Sequence, residues 1–232
     1  MSTSFPDLPA PARLPEATRP DGVQAKDFVY GYVKRLILDL VLPPGHIITE
    51  MDIATVVGVS RTPVREAFLR LDAEYLLKLL PRRGAQVTTV TARQIRELNT
   101  TRLVLELYAA REIVAHQVDL STHLNALIDE QQAITDAGAG YPAVVACDRR
   151  FHTAIIEAIG NAELAHLYRS MGDRQQRTGV VALTVHAGRA EMALRQHRDI
   201  ADALSRFDLP AAEAALEEHL ERHSWPLERY LP

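Results

Sequence analysis

The chain has 232 residues, 47% of them hydrophobic and 24% charged, enough for two modest domains with packed cores, so wholesale disorder is excluded. The single cysteine, Cys147, excludes a disulfide framework within the chain and fits a reducing, cytoplasmic setting, and no run of about 18 apolar residues suggests a membrane span. The net charge of -4 argues against nucleic acid only as a total: residues 23–90 carry +2 and residues 91–232 carry -5, the pattern of a weakly basic binding domain ahead of an acidic one.

The first 22 residues, rich in proline and small polar side chains, lack an apolar stretch and read as a flexible arm rather than a signal peptide. A second region, residues 23–90, opens on Phe28, Val29, Tyr32, Val33, Leu36, Ile37 and Leu40, which recur at helical spacing. The LPPGH stretch stops that helix. Thr49, with Asp52 three residues on, predicts a capped second helix over 50–57, broken by Gly58. Ser60 is placed to cap a third, whose Ala67, Phe68 and Leu71 face inward. Two short apolar stretches, 76–80 and 85–90, flank PRRG and predict a β-hairpin with a basic tip. Helix, helix, turn, helix, hairpin is the order of a winged helix-turn-helix. In such a motif Ser60, Arg61, Thr62 and Arg65 start the helix that enters the major groove. Arginine suits guanine edges and phosphates alike, through two parallel hydrogen bonds. On residue types alone, these arginines fit DNA or a solvated face equally well.

GVSRTPVREAFLRL followed by LPRRGAQV resembles the DNA-binding domain of GntR-family regulators, over about 65 residues. The resemblance implies DNA contacts from Arg61, Arg65 and the wing at Arg83 and Gly84. Met51 stands where some members carry a DNA-contacting arginine, and Tyr75 where a glycine usually follows the recognition helix.

From residue 91 onward (the third region, 91–232) only helical periods occur, predicting helices near 91–117, 120–137, 141–159, 163–185, 188–206 and 209–228. The fold class is therefore mainly α: the winged domain plus an antiparallel all-α bundle. Asp148 and His152, four apart, share one helix face, as half of a metal site or as a solvated pair. His197 and His219 lie equally far on either side of a turn at Asp208. In an antiparallel hairpin that puts both roughly 16 Å above the turn, facing one point, with His223 the competitor of His219. One Asp and three His suit Zn, Ni, Mn or Fe with coordination positions left open.

This half resembles the FCD ligand-binding domain of the FadR subfamily, and the six-helix count resembles its shorter, VanR-like branch. The resemblance rests on Arg102 with Glu106, on Asp148 with His152, and on His197 and His219. It implies a divalent metal with a small carboxylate beside it, and Arg102 is the candidate to clamp that acid, its alternative being a plain pair with Glu106. Together the two resemblances imply a homodimer on double-stranded, pseudo-palindromic operator DNA, a repressor controlled by a small organic acid. Two rivals stay open: a metal-dependent enzyme acting on a small carboxylate or ester, for which no nucleophile motif or adjacent general base is evident, and a purely structural metal.

Overall fold

The computed structural model describes residues 13–186 and 188–221, and the chain divides into one compact unit ending at Val90 and another beginning at Thr91. The first unit contains α1 (Ala25–Leu38), β1 (Ile47–Ile48), α2 (Glu50–Val57), α3 (Arg61–Ala73), β2 (Leu77–Leu80) and β3 (Gly84–Val87). α1 buries Val29, Val33, Leu36 and Ile37, a single stripe at helical spacing that packs on α3. At α2 the Thr49 hydroxyl accepts from the Asp52 N–H at 3.2 Å, and the Asp52 carboxylate accepts from the Thr49 N–H at 3.0 Å. Gly58 ends α2 in the left-handed region, φ 70°.

Ser60 holds the N-cap position of α3, but its side chain makes no capping bond, contrary to expectation. The reason is local: Pro63 is the third residue of the helix and lacks the N–H a capping oxygen usually accepts from. α3 buries Val64, Ala67, Phe68 and Leu71. β2 and β3 form the expected hairpin, and β1 adds a third antiparallel strand in the order β1-β3-β2. From the arm region, residues 13–22 are described and non-helical; Leu14 packs on this unit's core and the Tyr32 hydroxyl donates to the Pro15 carbonyl at 2.5 Å.

The second unit is helical throughout: α4 (Ala92–His116), α5 (Ser121–Asp136), α6 (Tyr141–Glu157), α7 (Ala162–Ser170), α8 (Gly172–Val185), α9 (Arg189–Ser205) and α10 (Leu209–Glu221). These are seven helices among the described residues, where six were expected. The helix predicted over 163–185 is two, meeting at the buried Met171, and the count that suggested the six-helix branch does not hold. The break brings α8 close to α6: a Cβ on Gly172 would lie 2.3 Å from an Arg149 nitrogen, and one on Gly179 would lie 2.7 Å from a Val145 methyl. α10 packs on α9 and α4, α5 on α6 and α9, and α8 on α6. Phe151, Ile155, Leu124, Ile128, Leu204 and Leu216 are core residues here. Among them lie Glu106, His152, His197 and His219, each without solvent exposure. Four fully buried ionisable groups in one core need partners to be tolerated, and that is what marks the site.

Candidate metal centre and nucleic-acid interface

Asp148 and His152 come from α6, His197 from α9 and His219 from α10. Ligand atoms of all four lie within 4.8 Å of one another, so the structure brings the expected set together. His197 Nε2 is 3.2 Å from Asp148 Oδ1, His152 Nε2 is 4.0 Å from the same oxygen, and the His152 and His219 Nε2 atoms are 3.0 Å apart. His223 lies outside the described residues.

The other ring nitrogens explain this convergence. His152 Nδ1 donates to Glu106 Oε2 at 2.7 Å, His197 Nδ1 to Gln131 Oε1 at 2.8 Å, and His219 Nδ1 to Gln196 Oε1 at 3.2 Å. Each proton is thereby fixed on Nδ1, leaving an Nε2 lone pair aimed inward. Two inward lone pairs at 3.0 Å repel unless a cation or a shared proton lies between them. His197 Nε2 is buried 3.2 Å from Asp148 Oδ1 and, with its proton on Nδ1, faces that oxygen as one acceptor faces another. Three imidazoles and one carboxylate so arranged fit a divalent ion.

The electrostatics point the same way. Burial lowers the His197 pKa, and for His219 burial together with the neighbouring His152 and His197 pushes it well down, so both rings favour the neutral, ligating form. Burial alone would raise Asp148, but the histidines and Arg102 outweigh it and hold the carboxyl well below the usual range. For Glu106, burial is likewise outweighed by His152, Arg102 and the Tyr168 hydroxyl, giving about 2.

Arg102 lies on α4 with its guanidinium buried. Its Nε donates to Glu106 Oε1 at 3.1 Å and to the Tyr168 hydroxyl at 3.2 Å, while its Nη2 has no hydrogen-bond partner. Both readings of Arg102 thus coexist: a pair with Glu106 and one donor left over. Arg102 and Asp148 line a cavity of about 60 Å³ with Gln131, Gln175 and Arg189. Arg149 is half-buried and lines a neighbouring cleft with Arg150, which is exposed and bonded to Glu130. Glu157 pairs with Arg169.

In the first unit, Arg61 and Arg65 from α3 and Arg82, Arg83 and Gly84 from the hairpin line one open groove, together with Met51. Arg61 is held by Glu50, Nη2 to Oε2 at 2.9 Å. Ser60 and Thr62 are exposed at the start of α3. Gly84 has φ 102°, and a Cβ there would meet the Ile48 carbonyl oxygen at 2.3 Å, so its role is to let β1 approach the hairpin.

Residues 25–87 match the family described as bacterial regulatory proteins, gntR family, and residues 97–222 match the FCD domain, which alone spans more than half the chain. The chain belongs to the GntR family, with an FCD domain following the helix-turn-helix. Similar GntR-type relatives include the uncharacterized HTH-type regulator YdhC of Bacillus subtilis, 29% identical over 82% of this chain and 85% of that one. The HTH-type transcriptional repressor RspR of Escherichia coli is 28% identical over 84% of this chain and 86% of its own. A GntR transcriptional regulator from Rhodococcus sp. RHA1 superposes with TM-score 0.70 at 28% identity, covering 87% of this chain and 96% of that one. E. coli McbR/YncC shares the fold, with TM-score 0.66 at 23% identity, covering 86% and 95%. As a GntR-family FCD protein, the chain is a DNA-binding transcriptional regulator with a C-terminal effector-binding domain, not an enzyme. FCD domains are known to bind metals, and the Asp/His cluster is a group that could hold one.

Sequence reasoning missed Gln131, Gln196 and Tyr168 around the site, and the part Glu106 plays toward His152. These groups come from helices distant in sequence, and no spacing rule links a glutamine to a histidine 66 residues away. Arg189 was also missed, although an arginine directly after the helix-breaking Gly188 was a visible signal.

Proposed function

We propose that this protein is a homodimeric, cytoplasmic repressor that binds a pseudo-palindromic operator through α3 and the wing. Its grip on DNA is set by a small carboxylate bound beside a divalent metal ion. Asp148, His152, His197 and His219 would hold the ion, with Zn, Ni, Mn and Fe all compatible with nitrogen and oxygen ligands. The observation that carries this reading is the set of three Nε2 atoms converging on Asp148, each fixed from behind by an acceptor on Nδ1. A bound divalent ion supplies a Lewis-acidic position for one carboxylate oxygen. Arg102 orients that carboxylate through its spare Nη2, and Glu106 keeps both Arg102 and His152 in place. On the DNA side, Arg61, Arg65 and Arg83 face base edges and phosphates, with Ser60 and Thr62 beside them at the start of α3 and Gly84 shaping the wing. Relatives named as repressors support the sign of regulation.

The test is a thermal-shift screen of chelator-stripped protein, crossing divalent metals with small carboxylic acids. The expected result is that an acid raises the melting temperature only with metal present, and that His197→Ala abolishes the effect. At a hundredfold excess over Kd, such an acid adds about 2.7 kcal/mol. Stabilisation by metal with no further gain from any acid would make the ion structural. No response to metal would overturn the site.

A further inference from the structure

The cavity beside Asp148 is walled by donors that have nothing to donate to. Arg102 Nη2, Gln131 Nε2, Gln175 Nε2 and Arg189 Nη2 are all buried without a hydrogen-bond partner. Their residues all line this one cavity, and they come from α4, α5, α8 and α9. The Gln131 amide is oriented by its bond to His197, so its NH2 faces away from the ring. A buried, unsatisfied donor costs about 1–3 kcal/mol, so four around one cavity call for a ligand rich in acceptors.

Charge sharpens the requirement. Arg102 and Arg189 are 7% and 4% exposed, and they balance the carboxylates of Asp148 and Glu106. Burial lowers Arg189 to about 10, which leaves it charged at neutral pH. A divalent ion on the histidines then leaves an excess of two positive charges. Apart from Asp148, no carboxylate among the described residues lines the cavity, so an ammonium group would find no anionic partner among them once Asp148 is engaged with a metal. The volume of about 60 Å³ holds on the order of four waters, which suits an acid of three to four carbons. Arg189 also lines the adjoining larger cavity, which places it on the side that the two cavities share.

Resting on the effector reading above, we infer that the effector is a small dicarboxylate lacking an amine: one carboxylate is taken beside the histidines and Arg102, and the second by Arg189 with Gln175. Arg189 is then the residue that selects dianions over monoanions.

The test is calorimetric titration of the metal-loaded full chain with malonate, succinate and glutarate, set against butyrate and L-aspartate. Succinate or malonate should bind at least tenfold more tightly than butyrate, and L-aspartate at least tenfold more weakly than succinate. Arg189→Gln should weaken the dicarboxylates at least tenfold more than it weakens butyrate, closing the gap between them in the metal-loaded protein. Gln175→Leu, which keeps every charge, should weaken the dicarboxylates selectively and by less. Butyrate binding as tightly as succinate, or aspartate binding as well as succinate, overturns the inference from the wild-type protein alone. Equal loss of butyrate and succinate in a folded Arg189→Gln overturns the role of Arg189. If the metal-loaded protein binds no carboxylate at all, the effector reading fails first, and the dicarboxylate inference with it.

Discussion

Tyr75 adopts φ 58° just beyond Glu74, the C-cap of α3, and is 83% exposed. It therefore bears the cost of a left-handed backbone, roughly 1–2 kcal/mol, without recovering it by burial. Tyr75→Gly should stabilise the winged unit by about 0.5–1 kcal/mol net of glycine's unfolded-state entropy, as read from urea unfolding. Gly84 is the opposite case. Gly84→Ala drives a methyl into the Ile48 carbonyl and should cost more than about 2 kcal/mol. Loss of operator binding by that variant with full stability would instead make Gly84 a direct DNA contact. Glu74 links α1 to the end of α3: its carboxylate accepts from the Tyr30 hydroxyl at 2.7 Å and from Lys34 Nζ at 2.9 Å. Partial burial would raise its pKa, but Lys34, Tyr30 and Arg70 outweigh that and lower it. Its contribution to stability is therefore present above the ordinary carboxylate pKa and fades as pH falls through the lowered one. Glu74→Gln should lower stability at neutral pH and flatten the acid limb of the stability profile, so that variant and wild type converge as pH falls.

On the function proposed here, α3 and the β2–β3 hairpin read DNA together, since their arginines line one groove. Arg65→Ala should weaken binding to a specific operator by about 1–3 kcal/mol if Arg65 reads a base, or lower the salt slope by about one if it holds a phosphate. Wild-type operator affinity in both Arg61→Ala and Arg65→Ala would remove α3 from the interface. Glu50 pairs with Arg61, so if Arg61 meets DNA as proposed, Glu50→Gln should tighten DNA binding, most visibly at low salt. Most of these elements were legible in the sequence because their signals are local: a Thr49 cap, a Gly58 turn, the apolar stripe of α1. β1 was not, because two residues carry no period. The α7–α8 break lacks a proline and rests on how Gly172 and Gly179 meet Arg149 and Val145, which only packing reveals. The four metal-ligand candidates were legible through helix spacing and hairpin symmetry, whereas the acceptors behind them follow from tertiary packing alone.

At the scale of the whole molecule, regulation requires that effector and DNA binding be coupled. By linkage, whatever factor the acid changes operator affinity by, the operator must change acid affinity by the same factor. Titrating the acid into free and operator-bound protein measures both sides. Unequal factors would mean that the two preparations differ in something besides the ligand. The imidazole cluster has a mechanical consequence as well. Its side chains and their acceptors are drawn from α4, α5, α6, α9 and α10. An ion seated there would act as a rivet through five helices at once. Amide hydrogens in all five should then exchange with solvent more slowly together when metal is added, rather than helix by helix, while those of α1 and α2 keep their rates.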